Sequence, residues 1–376
     1  MGIVAKIGLT GGPAGGKTSF ASFSKEAFVN AGFRPVYLSE VATLFDSFGI
    51  GPATQVVSNL EYQYMVAKYQ LSIEDIMLEC LQYSPDNILL ICDRTLLDGK
   101  SYCSIDEWNI VLERLHLSEF DIYGRYDIVL HFLTTASGTY QNYSTENNPA
   151  RSEGIEEAIK RDKMTREAYH GMQMAKKVFL DNEVEFKEKQ NRAVRAVLGF
   201  LNLAEPIFGR QEKILVRKIK KEKLQEYYPK KIHISQTYLN PREGETERKV
   251  SCVTDNYAKS YYYTQKDENK RVCFERNNIK LEEYLSYLKD KKENSSAIEK
   301  DRWCFSHSNL YFQYDEFPFW ENYGILEMQM TNLCNEILIP DGFEAIANIT
   351  KNTKLFNNSL AENLVTQEEL EKMFDL

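Results

Sequence analysis

One stretch near the start constrains the fold more than any other: Gly11-Gly12-Pro13-Ala14-Gly15-Gly16-Lys17-Thr18. It follows an apolar run, Ile3 to Leu9, which reads as a strand. It precedes Thr18 to Ala31, whose apolar residues recur at helical spacing. A Gly-x4-Gly-Lys-Thr spacing between a strand and a helix is the context of a phosphate-cradling loop. Glycines let the backbone curl so that successive N–H groups point at anionic oxygens, and the helix N-terminus adds partial positive charge. The spacing assigns Gly11 to Ser19 to a nucleotide. Lys17 is expected to bridge terminal phosphates and the Thr18 hydroxyl to coordinate Mg²⁺. The expected ligand is a purine nucleoside triphosphate, GTP or ATP; no NKxD base-reading arrangement chooses between them.

The rest of the first half alternates strand and helix signals, which predicts an α/β domain with a parallel sheet covered by helices on both faces. Further strands are expected at Pro35 to Leu38, Asn87 to Cys92, Tyr126 to Leu133 and Lys177 to Leu180. Helices are expected at Gln55 to Gln82, Glu153 to Gln173 and Glu183 to Leu203. Ala204-Glu205-Pro206 breaks the pattern, so the first domain is placed at 1–205.

Asp93 closes the NILLIC strand, where a carboxylate can hold a magnesium shell or activate an acceptor. Arg94 beside it can hold an acceptor's phosphate or carboxylate, or stand in a surface ion pair. Thr134 to Pro149 is polar and turn-rich, which suits a mobile cover over a site. Arg151, Arg161 and Arg166 lie in or beside it, and arginines closing on phosphates stabilise charge spreading in a transition state. Asp181-Asn182 at the end of the fifth strand is a candidate base-reading loop.

LTGGPAGGKTS, ICDRTLLDG and NNPARSEGIEEAIKRDKMTREAY together resemble the small AAA-type P-loop domains related to nucleoside and nicotinamide-ribose kinases. The resemblance spans nearly all of residues 1–205.

The second half is richer in Tyr, Lys and Arg, and breaks into short alternating segments. These lie at Lys213 to Lys220, Ile232 to Leu239, Thr246 to Thr254, Ser260 to Lys266, Arg271 to Glu275, Arg302 to Ser306, Asn309 to Asp315 and Ile325 to Met330. An α+β antiparallel barrel over 206–365 is expected, followed by a tail at 366–376. Strand residues two apart share a face, so Lys213, Arg217, Arg248, Lys266, Arg271 and Arg302 can aim cations at one lumen. Glu275 and Glu327 can pair with them or hold a metal.

QEKILV, YYYTQK, RVCFER, DRWCF, YFQYDEF, ILEMQ and ANITKNTKLFNNSLA resemble a CYTH domain, a triphosphate-tunnel barrel, over about residues 209–362. That resemblance implies binding of polyphosphate anions, often with a divalent metal. The chain departs from the signature: Gly209 and Gln211 stand where two alternating glutamates precede Lys213, and Gln329 replaces a later glutamate. The domain order resembles the TRPL translocation defect protein family, which implies GTP binding, acidic-phospholipid binding and membrane trafficking.

A net charge of −9 disfavours sequence-blind nucleic-acid binding. Seven scattered cysteines without a CxxC pair fit reduced thiols in a cytoplasmic protein. No apolar run reaches the roughly 18 residues a bilayer-spanning helix needs, leaving only peripheral membrane contact. The expected activity is Mg²⁺-dependent triphosphate binding with slow hydrolysis, coupled to a barrel that binds a phosphorylated ligand such as an acidic phospholipid headgroup. A small-molecule kinase and a barrel triphosphatase are the alternatives.

Overall fold

The computed structural model describes residues 2, 4–137, 154–204, 208–267, 272–276, 278–308, 310–331 and 337–376. The chain divides into two compact units, Met1–Gly209 and Arg210–Leu376.

The first unit is built on five parallel strands: β1 (Val4–Gly11), β2 (Phe33–Leu38), β3 (Asn87–Asp93), β4 (Ile128–Phe132) and β5 (Lys177–Leu180). Their order is β2-β3-β1-β4-β5. Parallel neighbours need crossovers, and helices supply them: α1 (Lys17–Asn30), α2 (Val41–Ser47), α3 (Asn59–Leu81), α4 (Ile105–Leu115), α5 (Glu119–Tyr123), α6 (Ile155–Ala168) and α7 (Phe186–Phe200). The strands are apolar almost throughout because both faces are covered. Ile7, Leu9, Leu89, Ile91, Leu130, Phe132 and Leu180 pack with Phe20 and Phe28 of α1 and Val197 of α7. One polar exception is Lys6, buried with Glu74 of α3 as an ion pair.

Register fixes the site. Leu9 stands beside Asp93, and Gly11 beside Phe132. The loop leaving β1 therefore emerges between the C-terminal ends of β3 and β4. Chain order reverses on either side of β1, the place where open α/β sheets form their ligand crevice.

The second unit is one nine-stranded sheet. Its strands are β6 (Phe208–Arg217), β7 (Lys230–Leu239), β8 (Glu245–Thr254), β9 (Lys259–Asp267), β10 (Val272–Arg276), β11 (Ile298–His307), β12 (Leu310–Glu316), β13 (Tyr323–Thr331) and β14 (Ala345–Asn348). Their order is β10-β9-β8-β7-β11-β12-β13-β6-β14. The registered pairs in this sheet are antiparallel. Among the described residues four short α-helices accompany it: α8 (Lys221–Gln225), α9 (Leu281–Leu288), α10 (Asn357–Glu362) and α11 (Gln367–Phe374). Lys213 of β6 lines one pocket with Lys249 of β8 and Lys266 of β9, so the sheet curls strongly across its width. One face packs Ile214, Val216, Phe305, Phe312, Leu326 and Met328. The chain end is docked, with Leu370 of α11 buried and the Trp320 indole N–H donating to the Val365 carbonyl at 2.9 Å.

Among the described residues no helix is long and apolar enough to cross a membrane.

Candidate functional site

The loop between β1 and α1 is wrapped tightly around the sheet edge. Gly11 has φ +121°, and a Cβ there would lie 2.0 Å from the Phe132 carbonyl oxygen. Gly16, the residue before α1, has φ +102°, and a Cβ would meet the Gln190 amide at 2.7 Å and the Phe186 ring at 2.8 Å. Only glycine fits either position without strain. The far side of the loop is clasped by the segment after β4. The Thr134 hydroxyl donates to the Pro13 carbonyl at 2.7 Å, and Thr135 to Ala14 at 3.3 Å.

Lys17 is buried and folded back on its own loop, donating to the carbonyls of Gly11 at 3.0 Å and Gly12 at 2.8 Å. Burial, then the nearby Arg94 charge, brings its pKa down to about 8, while Asp93, Glu40 and Asp98 pull the other way. Thr18 and Ser19 are exposed. Asp93 receives no hydrogen bond among the described residues; burial raises its carboxyl and Lys17 opposes that. An exposed Thr18 hydroxyl and an Asp93 carboxylate without a hydrogen-bond donor among the described residues are hard oxygens, the donor chemistry that Mg²⁺ takes.

Arg94 is held, not solvated. Its guanidinium donates to Glu40 at 3.1 Å, the Gly11 carbonyl at 2.8 Å and Asp98 at 3.3 Å. Its backbone sits at φ +79° and its carbonyl accepts from Gln70 of α3 at 2.8 Å. Asp98 also accepts from Thr10 at 2.5 Å and Tyr169 at 2.6 Å. Burial acts to raise the Glu40 carboxyl, but Arg94 and Lys17 outweigh it and hold it below its ordinary value.

Helix α6 packs firmly on its neighbours. Ala158, Asp162, Thr165 and Ala168 are buried. Arg161 donates to the Ser101 carbonyl at 3.0 Å and lies over the Tyr102 ring, 4.4 Å from its centre. Arg166 pairs with Asp162 at 3.3 Å. Asp162 of the same helix is brought against the loop. Its Oδ1 accepts from the Gly12 N–H at 2.9 Å, the Thr134 N–H at 3.2 Å and His131 Nε2 at 3.2 Å. Burial resists ionisation of Asp162, yet His131, Arg166 and the Gly12 N–H hold it at about 2. Burial takes His131 down to about 4. Arg151 and most of Thr134 to Pro149 lie outside the described residues.

Asp181 and Asn182 are structurally engaged: Asp181 pairs with Arg192 at 3.3 Å, and Asn182 donates to the Thr134 and Ser137 carbonyls. Asn182 also accepts from Lys189 of α7 at 2.8 Å, and burial lowers that lysine to about 7. Glu40, His131 and Lys189 carry no motif of their own, and Asp98 and Asp162 lie inside resembling blocks that do not single them out. Chain separations such as the 150 residues between Gly12 and Asp162 hide them from local reading.

In the second unit, register places Gln313 opposite Glu327, Asp315 opposite Arg302, Tyr238 opposite Lys249 and Glu247 opposite Lys266. Residues paired across strands share a face, which collects these groups in one lumen. Lys213 donates to Glu327 at 2.9 Å. Arg302 grips Asp315 with two bonds of 2.6 Å, and Lys300 reaches the same carboxylate at 2.6 Å. Lys266 meets Glu247 at 2.7 Å, with Lys249 at 3.6 Å. Burial opposes ionisation of Asp315 and Glu327, and their cationic neighbours overcome it.

The structure separates two expected members from this set. Arg248 lies on the opposite face, buried and bonded to Tyr263, the Asn240 carbonyl and Asp290. The alternation that puts Lys249 inward puts its neighbour outward. Arg217 is half-exposed and pairs with Glu344 at 2.9 Å. Lys249, Lys300, Gln313 and Asp315 join instead; Lys300, two residues before Arg302, was legible by alternation. Glu275 stands opposite Thr264 on β10, with its side chain outside the described residues, as is Arg271.

Residues 6–187 match the AAA domain family. No curated protein matches the sequence. Two solved structures of NE1496 are similar, one described as an inorganic triphosphatase and one as a hypothetical protein. Each is 16% identical, with TM-scores of 0.31 and 0.30. They cover 41% of this chain and 93% and 97% of their own.

Proposed function

We propose that the N-terminal unit binds a purine nucleoside triphosphate, GTP or ATP, with Mg²⁺ and hydrolyses it slowly. The lumen of the second unit binds a phosphorylated ligand, such as an acidic phospholipid headgroup. The reading follows the order of domains that resembles the TRPL translocation defect family, with a cytoplasmic protein touching membranes peripherally. The observation that carries it is the buried Lys17 ammonium resting on its own loop's carbonyls beside an unbonded Asp93. In this arrangement Lys17 and the loop amides bind and orient the triphosphate, and Thr18 and Asp93 would hold the metal. Mg²⁺, when bound, offsets the charge on the phosphate oxygens.

Equilibrium binding of GTP and ATP to wild-type and Lys17→Ala protein tests this. A loss of about tenfold or more, the equivalent of about 1.4 kcal/mol, is expected in the variant. Equal affinity would reject the assignment.

A second reading, a small-molecule kinase, is favoured by the Arg94–Glu40–Asp98 cluster beside Lys17. Glu40 can accept a proton from an attacking hydroxyl and Arg94 can orient an anionic acceptor. Incubation with ATP or GTP and a panel of nucleosides distinguishes the two: label on an acceptor supports transfer, and free phosphate alone supports hydrolysis.

A further inference from the structure

The lumen's carboxylates are already committed to the chain's own cations. Glu327 has Lys213 at 2.9 Å on one oxygen and Arg302 at 3.6 Å from the other. Asp315 spends both oxygens on Arg302 and one also on Lys300. Glu247 faces Lys266 and Lys249. A divalent cation needs several oxygen donors at about 2.0–2.6 Å, and here both oxygens of Asp315 and Glu327, and Oε1 of Glu247, face an ammonium or guanidinium group. Bringing a metal in would set it against those charges at short range, in a site where screening is weak. Gln211 and Gln329, on the same strand faces as Lys213 and Glu327, add amides rather than charge.

The charge balance runs the other way. Among the described residues, Lys213, Lys249, Lys266, Lys300 and Arg302 are five cations against three carboxylates, Glu247, Asp315 and Glu327, a surplus of two. A pocket of about 270 Å³ opens on this surplus; its charged lining is Lys213, Lys249 and Lys266 against Glu247, with Thr246, Asn357 and Asn358 among its polar walls. Ammonium, hydroxyl and amide donors around one cavity suit clustered phosphate oxygens.

We propose that this lumen binds phosphate oxyanions as the bare anion, without a divalent cation, and leaves them uncleaved. The proposal rests on the reading of the lumen as an anion site. The cations already present do the neutralising that a metal would otherwise do, and each is held in place by a carboxylate before the ligand arrives.

The test uses full-length protein carrying Lys17→Ala, which silences the phosphate loop. Inorganic tripolyphosphate is titrated by calorimetry in EDTA and again in excess Mg²⁺, with phosphate release followed in parallel. A second arm in each buffer uses vesicles of phosphatidic acid in phosphatidylcholine. Binding in EDTA that Mg²⁺ does not strengthen, with no phosphate released, is expected, and the responding arm identifies a free or lipid-borne source. Adding Lys249→Gln or Lys266→Gln should weaken that binding by about tenfold, the scale of one lost charge-assisted contact. Both side chains are partly exposed, at 18% and 28%, so the fold should survive, as a melting curve will show. Binding or cleavage that requires Mg²⁺ overturns the proposal while leaving the anion reading intact. Binding in EDTA that neither lysine variant weakens overturns the location. No binding to either probe in either buffer overturns both.

Discussion

At the residue scale, burial decides which charges are available. Lys17 is drawn down to about 8 by burial and Arg94. It is cationic below that pH and neutral above, so nucleotide affinity should hold on the acid side and fall as pH rises past about 8. An ordinary lysine would keep its charge to about 10.4. Binding constants measured across that range check this; a flat profile would contradict it. His131 gives the opposite arm. Its neutral form is favoured in the fold, at about 4, against 6.5 in an open chain. Below 6.5 the unfolded chain takes up the proton first, so stability should be lost as pH falls from 6.5 towards 4, by about 3 kcal/mol in all. His131→Asn should flatten this limb in melting experiments. The residues of the loop were readable because their chemistry is local. Asp162 was not, because nothing in a charged helix marks which carboxylate will meet a backbone amide far away in the chain.

At the element scale, α6 matters through one side chain. Asp162→Ala would orphan the buried N–H groups of Gly12 and Thr134. A loss of about 2–3 kcal/mol is expected, with weaker nucleotide binding, readable by denaturant titration and by Kd. Gly16→Ala would force a Cβ into Phe186 and Gln190 at a left-handed position, and should lower the melting temperature and nucleotide affinity together. The five parallel strands were legible because buried strands are nearly continuous apolar runs. The long helix expected from Gln55 begins instead at Asn59, because Ser58 caps it by accepting from the Glu61 N–H. Helix α4 was missed despite a Ser104–Glu107 capping box, a signal the sequence does carry. Strand β14 was invisible for a better reason: it is four residues long, with an irregular register against β6.

At the scale of the whole molecule, each unit owns its core. Phe20, Leu130 and Val197 belong to one, and Phe305, Trp320 and Leu326 to clusters in the other. Units with separate cores unfold as separate cooperative bodies. In scanning calorimetry of the full chain, nucleotide with Mg²⁺ should raise one transition and tripolyphosphate in EDTA with Lys17→Ala the other. Each should gain about 2.7 kcal/mol at a hundredfold excess over Kd. A single transition moved by both ligands would contradict this. The architecture of both units was legible, parallel α/β then antiparallel sheet, because the period of apolar residues changes from one half to the other. Which lumen groups neutralise each other was not, since register alone decides it.

The resting contacts of Lys17 have one more consequence. A ligand that claims this ammonium must first detach it from two carbonyls, and Gly11 keeps Arg94 as a donor afterwards. Phosphate chains too short to reach the ammonium leave that hold undisturbed and gain only the loop amides. On the proposed reading of the loop, this latch should make triphosphates bind more tightly than diphosphates, a threshold of length that their Kd values would check.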